Sequence, residues 1–200
     1  MNYAPVPDTP SPGIRDQIID AADAHFSRYG YAKTTMADLA GAIGFSKAYI
    51  YKFFDSKQAI GEAICSKTLA TQFAAISAAV AAASGPHEKV RALLRTAVEQ
   101  CLTQFFNDRK LYDIAAHSRA EGWVSSEKHV AQINDLLANI VQEGRAIGAF
   151  ERKTPLDEVC RGIMLAALPL ADPLLLQHNL DQVEEGLPAI TGLILRSLAP

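Results

Sequence analysis

The sequence contains little cysteine and almost none of the patterns that mark β-strands. Its three cysteines, Cys65, Cys101 and Cys160, lie far apart and form no CxxC pair. This spacing excludes a disulfide framework and favours reduced, mostly buried thiols. No segment alternates between apolar and polar residues with a period of two, and no Asn-Gly or Asp-Gly pair marks a hairpin turn. These absences predict a helical protein in a reducing compartment.

Metal-binding and catalytic signatures are missing as well. The five histidines, His25, His87, His117, His129 and His178, are scattered, without an HExxH pattern or a Cys/His spacing that fits zinc. No nucleophile elbow, Walker loop or dinucleotide fingerprint occurs. The sequence therefore predicts no metal site, no cofactor and no enzymatic activity.

Leader peptides and membrane spans also find no support. Residues 1–13 carry four prolines but no Lys or Arg and no apolar core, so they predict a disordered tail rather than a signal peptide. The longest uncharged stretch, Thr68 to His87, is rich in alanine and is interrupted by polar residues, and its larger apolar side chains fall on one helical stripe. We expect a cytoplasmic protein without a membrane partner.

What remains is an ordinary globular composition. Of 200 residues, 49% are apolar and 20% are charged, and the formal net charge is −3. Such a chain can bury a core without a disulfide or metal staple. An acidic balance argues against a basic coat over the whole surface but permits a local basic patch. Helical periodicity predicts helices at about residues 14–30, 36–43, 46–53, 57–83, 87–107, 109–120, 126–147, 156–176 and 181–198.

Helix length changes near residue 57, and this change divides the chain. The helices before that point are short, and residues 31–58 hold four Lys against two Asp, whereas the acidic excess lies further along. We therefore predict an N-terminal three-helix domain over residues 14–56 and a larger helical domain over residues 57–200.

One stretch, at about residues 35–54, has the spacing of two short helices that cross steeply. Thr35 is a good N-cap for the first helix, and Ser46 is one for the second. Gly44 supplies a turn residue that accepts a positive φ, and Ile50 anchors the second helix in the core. This spacing is that of a helix-turn-helix, which places its second helix in the major groove of DNA.

The outward face of the second helix carries the donors that DNA recognition needs. Lys47 can reach a guanine or a phosphate, and Tyr51 offers a hydroxyl and an aromatic face. Lys57 adds a cation at the start of the next helix, where the helix dipole also favours a phosphate. The predicted DNA-binding residues are Thr35, Ser46, Lys47, Ala48, Tyr49, Tyr51, Lys52 and Lys57.

Between about Ile14 and Ile64 the sequence resembles the TetR family of transcriptional regulators. The matching pieces occur in the family's order and spacing, and they are Ile18-Ile19-Asp20-Ala21-Ala22, Phe26, Gly30-Tyr31, Thr34-Thr35, Leu39-Ala40, Gly44-Phe45-Ser46-Lys47, Ile50-Tyr51, Phe54 and Lys57. The resemblance implies a DNA-binding head and a C-terminal helical domain that dimerises and often holds a ligand. It also implies phosphate contacts from the threonine pair and from the lysine of the fourth helix.

The second helix departs from the family pattern. Where the family often has Leu-Tyr-Tyr-His-Phe, this chain has Ile50-Tyr51-Lys52-Phe53-Phe54, and Tyr49 replaces a smaller residue. The family's contacts therefore do not carry over to Lys52 and Phe53. Two interpretations of Phe53 stay open, namely packing inside the head and contact with a thymine methyl group.

The C-terminal region carries more apolar surface than a monomer needs. The segment from Val159 to Leu176 is strongly apolar, and a second segment has apolar residues on one helical face. Pairing with a second copy would form a four-helix interface, although an intramolecular core has the same pattern. The predicted interface residues are Leu165, Leu168, Val183, Leu187, Ile190, Ile194 and Leu198.

A ligand cavity is expected among the fourth to eighth helices. The predicted lining residues are Phe105, Phe106, Tyr112, His117, Trp123 and Met164, and this mixture points to an apolar or aromatic small-molecule effector. The leading hypothesis is therefore a homodimeric, ligand-responsive repressor that binds a palindromic operator in double-stranded DNA. The alternatives are an all-helical ligand-binding protein or enzyme whose head does not bind DNA, and a thiol-based sensor.

Overall fold

The computed structural model describes residues 12–200, apart from the side chains of residues 12, 110 and 111. The disordered tail predicted for residues 1–13 therefore falls almost wholly outside the described residues. Within them the chain is helical and forms no strand, which confirms the all-α fold class. The helices are α1 (Pro12–Tyr29), α2 (Met36–Ile43), α3 (Lys47–Ile50), α4 (Lys57–Ala82), α5 (Pro86–Asn107), α6 (Arg109–Ala120), α7 (Val124–Ala146), α8 (Leu156–Ala171), α9 (Pro173–Leu176) and α10 (Val183–Ser197), with a 3-10 turn at Leu180–Gln182.

Local capping explains where the short N-terminal helices begin and end. Thr35 and Asp38 form a capping box at the start of α2, in which each side chain accepts a hydrogen bond from the other's backbone N–H. Gly44 ends α2 in the left-handed conformation, with φ of 80°. The hydroxyls of Ser46 and Ser56 accept hydrogen bonds from the first turns of α3 and α4.

Two helix boundaries differ from the predicted ones. The helix predicted for residues 46–53 stops being α-helical after Ile50, because the next backbone bonds run to the residue three positions back. The helix predicted for residues 156–176 is divided at Asp172, since Pro173 has no N–H and Asp172 caps a new turn. Pro188, in contrast, lies inside α10 without ending it.

Two hydrophobic cores are built on one shared helix. We call α1–α3 the head and α5–α10 the body, with α4 running through both. The head core contains Phe26, Leu39 and Ile50, and it also takes in Ile64 of α4. The body core begins with Ile76 of α4 and continues through α5, α7, α8 and α10. The head core therefore extends past the boundary predicted near residue 57.

The shared helix α4 has 26 residues, which corresponds to a length of about 39 Å. Among the described residues it is the one helix long and apolar enough, by length and composition, to cross a membrane. Its side chains contribute to both hydrophobic cores, from Ile60 to Val80. The buried residues of α4 are Ile60, Gly61, Ile64, Cys65, Ile76 and Val80, so one side of the helix joins the two cores.

Candidate nucleic-acid interface and internal cavity

Helix α3 and the two residues that follow it, Tyr51 and Lys52, present a cluster of exposed side chains. Lys47, Ala48, Tyr51 and Lys52 are all exposed, and Tyr51 keeps 43% of its surface accessible. The Lys47 ammonium lies 5.8 Å from the centre of the Tyr51 ring, so the two side chains share one surface. The structure thus brings these four predicted residues together, and we call them the α3 surface.

An aromatic row supports this short helix from the side. Phe45, Tyr49 and Phe53 stack edge to face, with ring centres 5.1 Å and 5.4 Å apart. All three are half-buried, and Phe45 and Phe53 pack against the head core. Of the two interpretations left open for Phe53, the structure therefore favours packing. Tyr49 lies between the other two rings rather than on the α3 surface.

The two predicted hydroxyl contacts stand at helix N-termini and already make hydrogen bonds within the protein. The Thr35 hydroxyl donates to the Asp38 carboxylate at 2.7 Å, and the backbone N–H of Thr35 donates to the same oxygen at 2.8 Å. These bonds hold the pKa of Asp38 below its usual value. The Ser46 hydroxyl accepts a bond of 3.1 Å from the Tyr49 N–H. Both hydroxyl residues remain exposed.

Lys57 lies differently from the prediction. Its ammonium donates a 2.9 Å hydrogen bond to the backbone carbonyl of Tyr31 and lies 4.3 Å from the centre of the Tyr31 ring. Desolvation in this position lowers the pKa of Lys57. In this structure the charge of Lys57 is bound at the start of the α1–α2 loop rather than facing outward, and its phosphate contact stays a prediction.

The joint between head and body depends on residues that the sequence did not single out for this role. Trp123, in the turn between α6 and α7, is 2% exposed and packs edge to face against Tyr31. Gly61 makes room for it, because a Cβ atom there would lie 2.8 Å from the Trp123 ring. The Glu62 carboxylate accepts hydrogen bonds from the N–H groups of Val124 and Ser125, which start α7. A glycine inside an otherwise apolar helix was the available signal for this close contact.

An internal cavity of about 140 Å³ lies between α4, α5, α6, α7 and α8. Six residues of α4 line it, from Ile64 to Ile76, together with apolar residues of the other four helices. Small side chains such as Ala97, Ala167 and Ala171 form much of its wall. The cavity lies directly between the two hydrophobic cores.

The structure corrects most of the predicted cavity lining. Met164 lines the cavity, whereas the other five predicted residues do not. Phe106 is 70% exposed, and Phe105 and Tyr112 pack together in a small separate core. His117 and Trp123 contact each other at the joint. Large aromatic side chains fill space wherever they are buried, so an open cavity forms where small residues face each other.

Polar residues on the cavity wall were missed by the sequence analysis. Arg119 donates from Nε to a carboxylate oxygen of Asp172 at 2.8 Å, and Asp172 is 8% exposed. Gln72 donates to Gln104 at 2.9 Å across the α4–α5 interface. His129 has a buried Nδ1 without a hydrogen-bond partner, and burial lowers its pKa. A glutamine or arginine on an apolar helical stripe was the signal that could have found them.

The thiols do not support a redox sensor. All three cysteines are buried, and desolvation raises the pKa of Cys65 and of Cys101 to about 12. Desolvation by burial raises the pKa of Cys160 as well. Since the thiolate is the reactive form, these environments disfavour oxidation.

Six of the seven predicted interface residues pack inside the single chain or line its cavity. Ile194 and Leu198 are 4% and 1% exposed and belong to the body core. The predicted residues Leu187 and Ile190 pack against that core, Val183 packs against the small core, and Leu168 lines the cavity. In the single chain these residues therefore face inward, which agrees with the intramolecular alternative, whereas Leu165 of the predicted set is exposed.

The same two helices, α8 and α10, also carry exposed apolar residues. Leu165 on α8 is 59% exposed and Leu193 on α10 is 61% exposed, and the two helices pack side by side. Gly162, Pro169 and Ala189 are also exposed on the same helices. We call these five residues the α8–α10 face.

Comparisons with known proteins agree with this architecture. The family described as bacterial regulatory proteins, tetR family, matches residues 18–64, and the tetracyclin repressor-like C-terminal domain matches residues 86–189. The biofilm operon icaADBC HTH-type negative transcriptional regulator IcaR of Staphylococcus aureus (strain Newman) is 45% identical over 49 residues, which are 24% of this chain and 26% of IcaR. The chain thus spans about a quarter of the length of IcaR.

Two further proteins match over nearly the whole chain. The HTH-type transcriptional regulator BetI of Agrobacterium fabrum is 25% identical over 180 residues, which are 90% of this chain and 84% of BetI. The structure of SmeT, the repressor of the Stenotrophomonas maltophilia multidrug efflux pump SmeDEF, superposes with a TM-score of 0.68 and 16% identity. That superposition covers 96% of this chain and 93% of SmeT, and at this identity it shows a shared fold.

Proposed function

Since the chain belongs to the TetR family of bacterial regulatory proteins, we propose that it is a ligand-responsive transcriptional repressor in the cytoplasm, which binds a palindromic operator as a homodimer. The family is one of transcription regulators rather than enzymes. IcaR is described as a negative transcriptional regulator and SmeT as a repressor, and these descriptions support repression as the sign of control.

The α3 surface is the proposed contact with bases. Lys47, Tyr51 and Lys52 are exposed on α3 and just after it, and the aromatic row supports this helix from the side, so the helix can enter a major groove. Ala48, between them, lets the helix backbone approach the DNA closely. Thr35 and Ser46 are the N-cap residues of α2 and α3, and they are proposed to contact phosphates. Tyr49 is proposed to position the helix rather than to touch DNA.

The α8–α10 face is the proposed dimer interface. Its centre consists of the exposed side chains of Leu165 and Leu193, with small residues around them that permit close packing. Arg161 and Arg196 are exposed at its edges. An apolar centre with a charged rim is the usual composition of such an interface. Two heads joined in this way would enter successive major grooves about 34–36 Å apart.

The position of α4 is the observation that supports a response of DNA binding to a ligand. This one helix supplies Ile60 and Ile64 to the head core, lines the cavity from Ile64 to Ile76, and enters the body core. A molecule in the cavity therefore contacts the same rigid element that supports the DNA-binding head. Such a ligand would favour the α4 position that suits it, and operator affinity would change through that preference.

The experiment that tests this proposal is a selection of bound fragments from random duplex DNA, with purified protein at moderate salt. We expect a palindromic sequence, bound by one dimer, with an affinity that falls steeply as salt increases. Binding measured with the selected duplex at several salt concentrations gives the number of phosphate contacts, at a logarithmic slope of about −0.9 for each contact. Recovery of no sequence by a folded dimer would contradict the proposal and favour a helical ligand-binding protein that does not bind DNA.

A further inference from the structure

The cavity wall contains two charged side chains among the described residues, and they neutralise each other. Arg119 and Asp172 form an ion pair at 2.8 Å on the side of α6 and the start of α9. Asp172 is fixed there a second time, because its other carboxylate oxygen accepts a 2.9 Å bond from the N–H of Leu174. The carboxylate therefore cannot move away from Arg119 without leaving a helix N-terminus uncapped.

The titratable groups beside this pair are uncharged at neutral pH. Burial lowers the pKa of His129, so its imidazole is neutral. Burial also keeps the thiols of Cys65 and Cys101 protonated. The other described wall residues are apolar or carry amides and hydroxyls. A charged ligand would meet no uncompensated charge of opposite sign in this cavity.

This inference rests on the proposed function and concerns the effector of the same cavity. We propose that the effector is a compact, electrically neutral organic molecule with an apolar body and at least one hydrogen-bonding group, and that Asp172 determines this selectivity by neutralising Arg119. An anion would have to displace a carboxylate that also caps α9, and a cation would meet the guanidinium of Arg119. The Arg119 side chain is 32% exposed and Asp172 is 8% exposed, so the pair lies at the edge of a mostly apolar cavity. Either ion would lose part of its hydration there without a free counterion, which is costly.

The size and polarity of the cavity agree with such a molecule. Its volume of about 140 Å³ is close to the roughly 150 Å³ of an apolar protein cavity that takes up benzene. Ile76, Leu93 and Ile133 provide apolar walls. The side-chain amide of Gln100 makes no hydrogen bond to another described residue, and the side chains of Gln72 and Gln104 use one group each on their mutual bond. Their remaining amide groups can pair with a polar substituent of the ligand.

The test compares two probes of the same shape. 2-Phenylacetamide and phenylacetate differ in one terminal group, which is a neutral amide in the first and a carboxylate in the second. Binding of each to the full-length protein at neutral pH is measured by calorimetry and ligand-observed NMR. We expect the amide to bind about tenfold more tightly than the acid, because only the acid has to bury a charge.

Asp172→Asn is the decisive variant. Asparagine keeps the size of the side chain and is also a good N-cap, but it removes the charge that compensates Arg119. We expect the preference to shift toward phenylacetate by about tenfold or more, since Arg119 would then have no counterion. Asp113→Asn is the matched control, because Asp113 pairs with Arg109 on the exposed surface of α6 and does not line this cavity. The control variant should keep the wild-type preference.

A cavity-filling variant locates the binding. Ala167→Phe should abolish binding of the amide, and Ala97→Leu serves the same purpose if the first variant does not fold. A wild-type preference for phenylacetate, an unchanged ratio in Asp172→Asn, binding that survives both filling variants, or no binding of either probe would each overturn the inference. Binding to the selected operator is measured with the same preparations. If wild-type protein does not bind the operator, the proposed function is overturned rather than the inference about the effector. The two measurements therefore distinguish a failure of one from a failure of the other.

Discussion

The head and the body use opposite means to prepare a binding surface. In the head, side chains with positive charge and aromatic rings face outward on a short helix, and local caps fix that helix in place. In the body, the site is a cavity between helices, and the charges of Arg119 and Asp172 on its wall neutralise each other. The contrast teaches that a surface for a highly charged polymer can be assembled from neighbouring residues, whereas an enclosed site for a small molecule needs helices from distant parts of the chain.

The largest loss of operator affinity is expected from a substitution in the proposed dimer interface, because this interface joins the two heads. Leu193→Asp should convert the dimer to a monomer, because it places a carboxylate in the apolar centre of the α8–α10 face. Operator affinity should fall by about a hundredfold or more, since each head would then bind its half-site alone. Sedimentation measures the oligomeric state, and titration with the selected duplex measures the affinity.

Ile147→Asp is the control for this prediction. Ile147 is 68% exposed after the end of α7, outside the α8–α10 face. The same charge at that position should leave the dimer and the affinity unchanged. A Leu193→Asp protein that is still dimeric would exclude this face as the interface.

The next largest effect is expected on the free energy of unfolding, from a substitution at the Gly61–Trp123 contact between head and body. Gly61→Ala would place a Cβ atom 2.8 Å from the Trp123 ring, and overpacking of this kind costs about 1–3 kcal/mol of the free energy of unfolding. Gly41→Ala is the matched control, because Gly41 lies in α2 with no atom within 4 Å of the added Cβ. It should stabilise the protein by roughly 0.5–1 kcal/mol, since alanine is the better helix former. Urea unfolding distinguishes the two, and equal stability changes in both variants would contradict the packing argument.

Two lysines of similar sequence context should separate DNA contact from structural support. Lys47→Ala should weaken operator binding by roughly tenfold and reduce the logarithmic salt slope by about 0.9, because it removes an exposed phosphate or base contact. Lys57→Ala should instead lower the free energy of unfolding by about 1 kcal/mol, since its hydrogen bond to the Tyr31 carbonyl is partly exposed to solvent. Its salt slope should equal that of wild type. A reduced slope in Lys57→Ala would show that its side chain turns to DNA in the complex.

The smallest effect is expected from Asp38 in the cap of α2, and it is a change in how the stability of the protein depends on pH. Hydrogen bonds from Thr35 lower the pKa of Asp38 below its model-compound value of 3.8. A carboxyl group with a lowered pKa in the folded protein stabilises that protein above the unfolded pKa, and the contribution is lost as pH falls through the folded pKa. Asp38→Asn should therefore weaken the acid dependence of stability below about pH 4. Thermal unfolding between neutral and acidic pH measures this, and parallel curves for the two proteins would contradict it.

The helix-turn-helix was predictable because its determinants are local. Thr35, Gly44 and Ser46 act on residues within four positions of themselves, and the structure has each cap where the sequence placed it. The orientation of Lys57 was not predictable in this way, because its partner Tyr31 lies 26 positions away. A helix-start lysine looks the same in the sequence whether it points to DNA or to a carbonyl of its own chain.

The residues that line the cavity and those of the α8–α10 face were even harder to predict from the sequence, because their surroundings are set by distant parts of the chain. Aromatic residues were expected to line the cavity, but Phe105 and Tyr112 fill a separate core, and alanines such as Ala167 leave the space open. The stripe that ends in Ile194 and Leu198 was expected to meet a partner, but it faces the body core, and Leu193 faces outward. An apolar stripe marks a buried face, and its spacing carries no information about which chain covers it.

The all-helical class, the caps, the helix-turn-helix and the family follow from the sequence alone, because they depend on residue types at short and fixed separations. The three-dimensional packing was needed to show that α4 joins both cores, that Arg119 pairs with Asp172 at the cavity wall, and that Trp123 packs on Gly61. The last two pairs join residues more than 50 positions apart in the chain. Contacts of that range are set by how whole helices pack, which no local pattern of residues encodes.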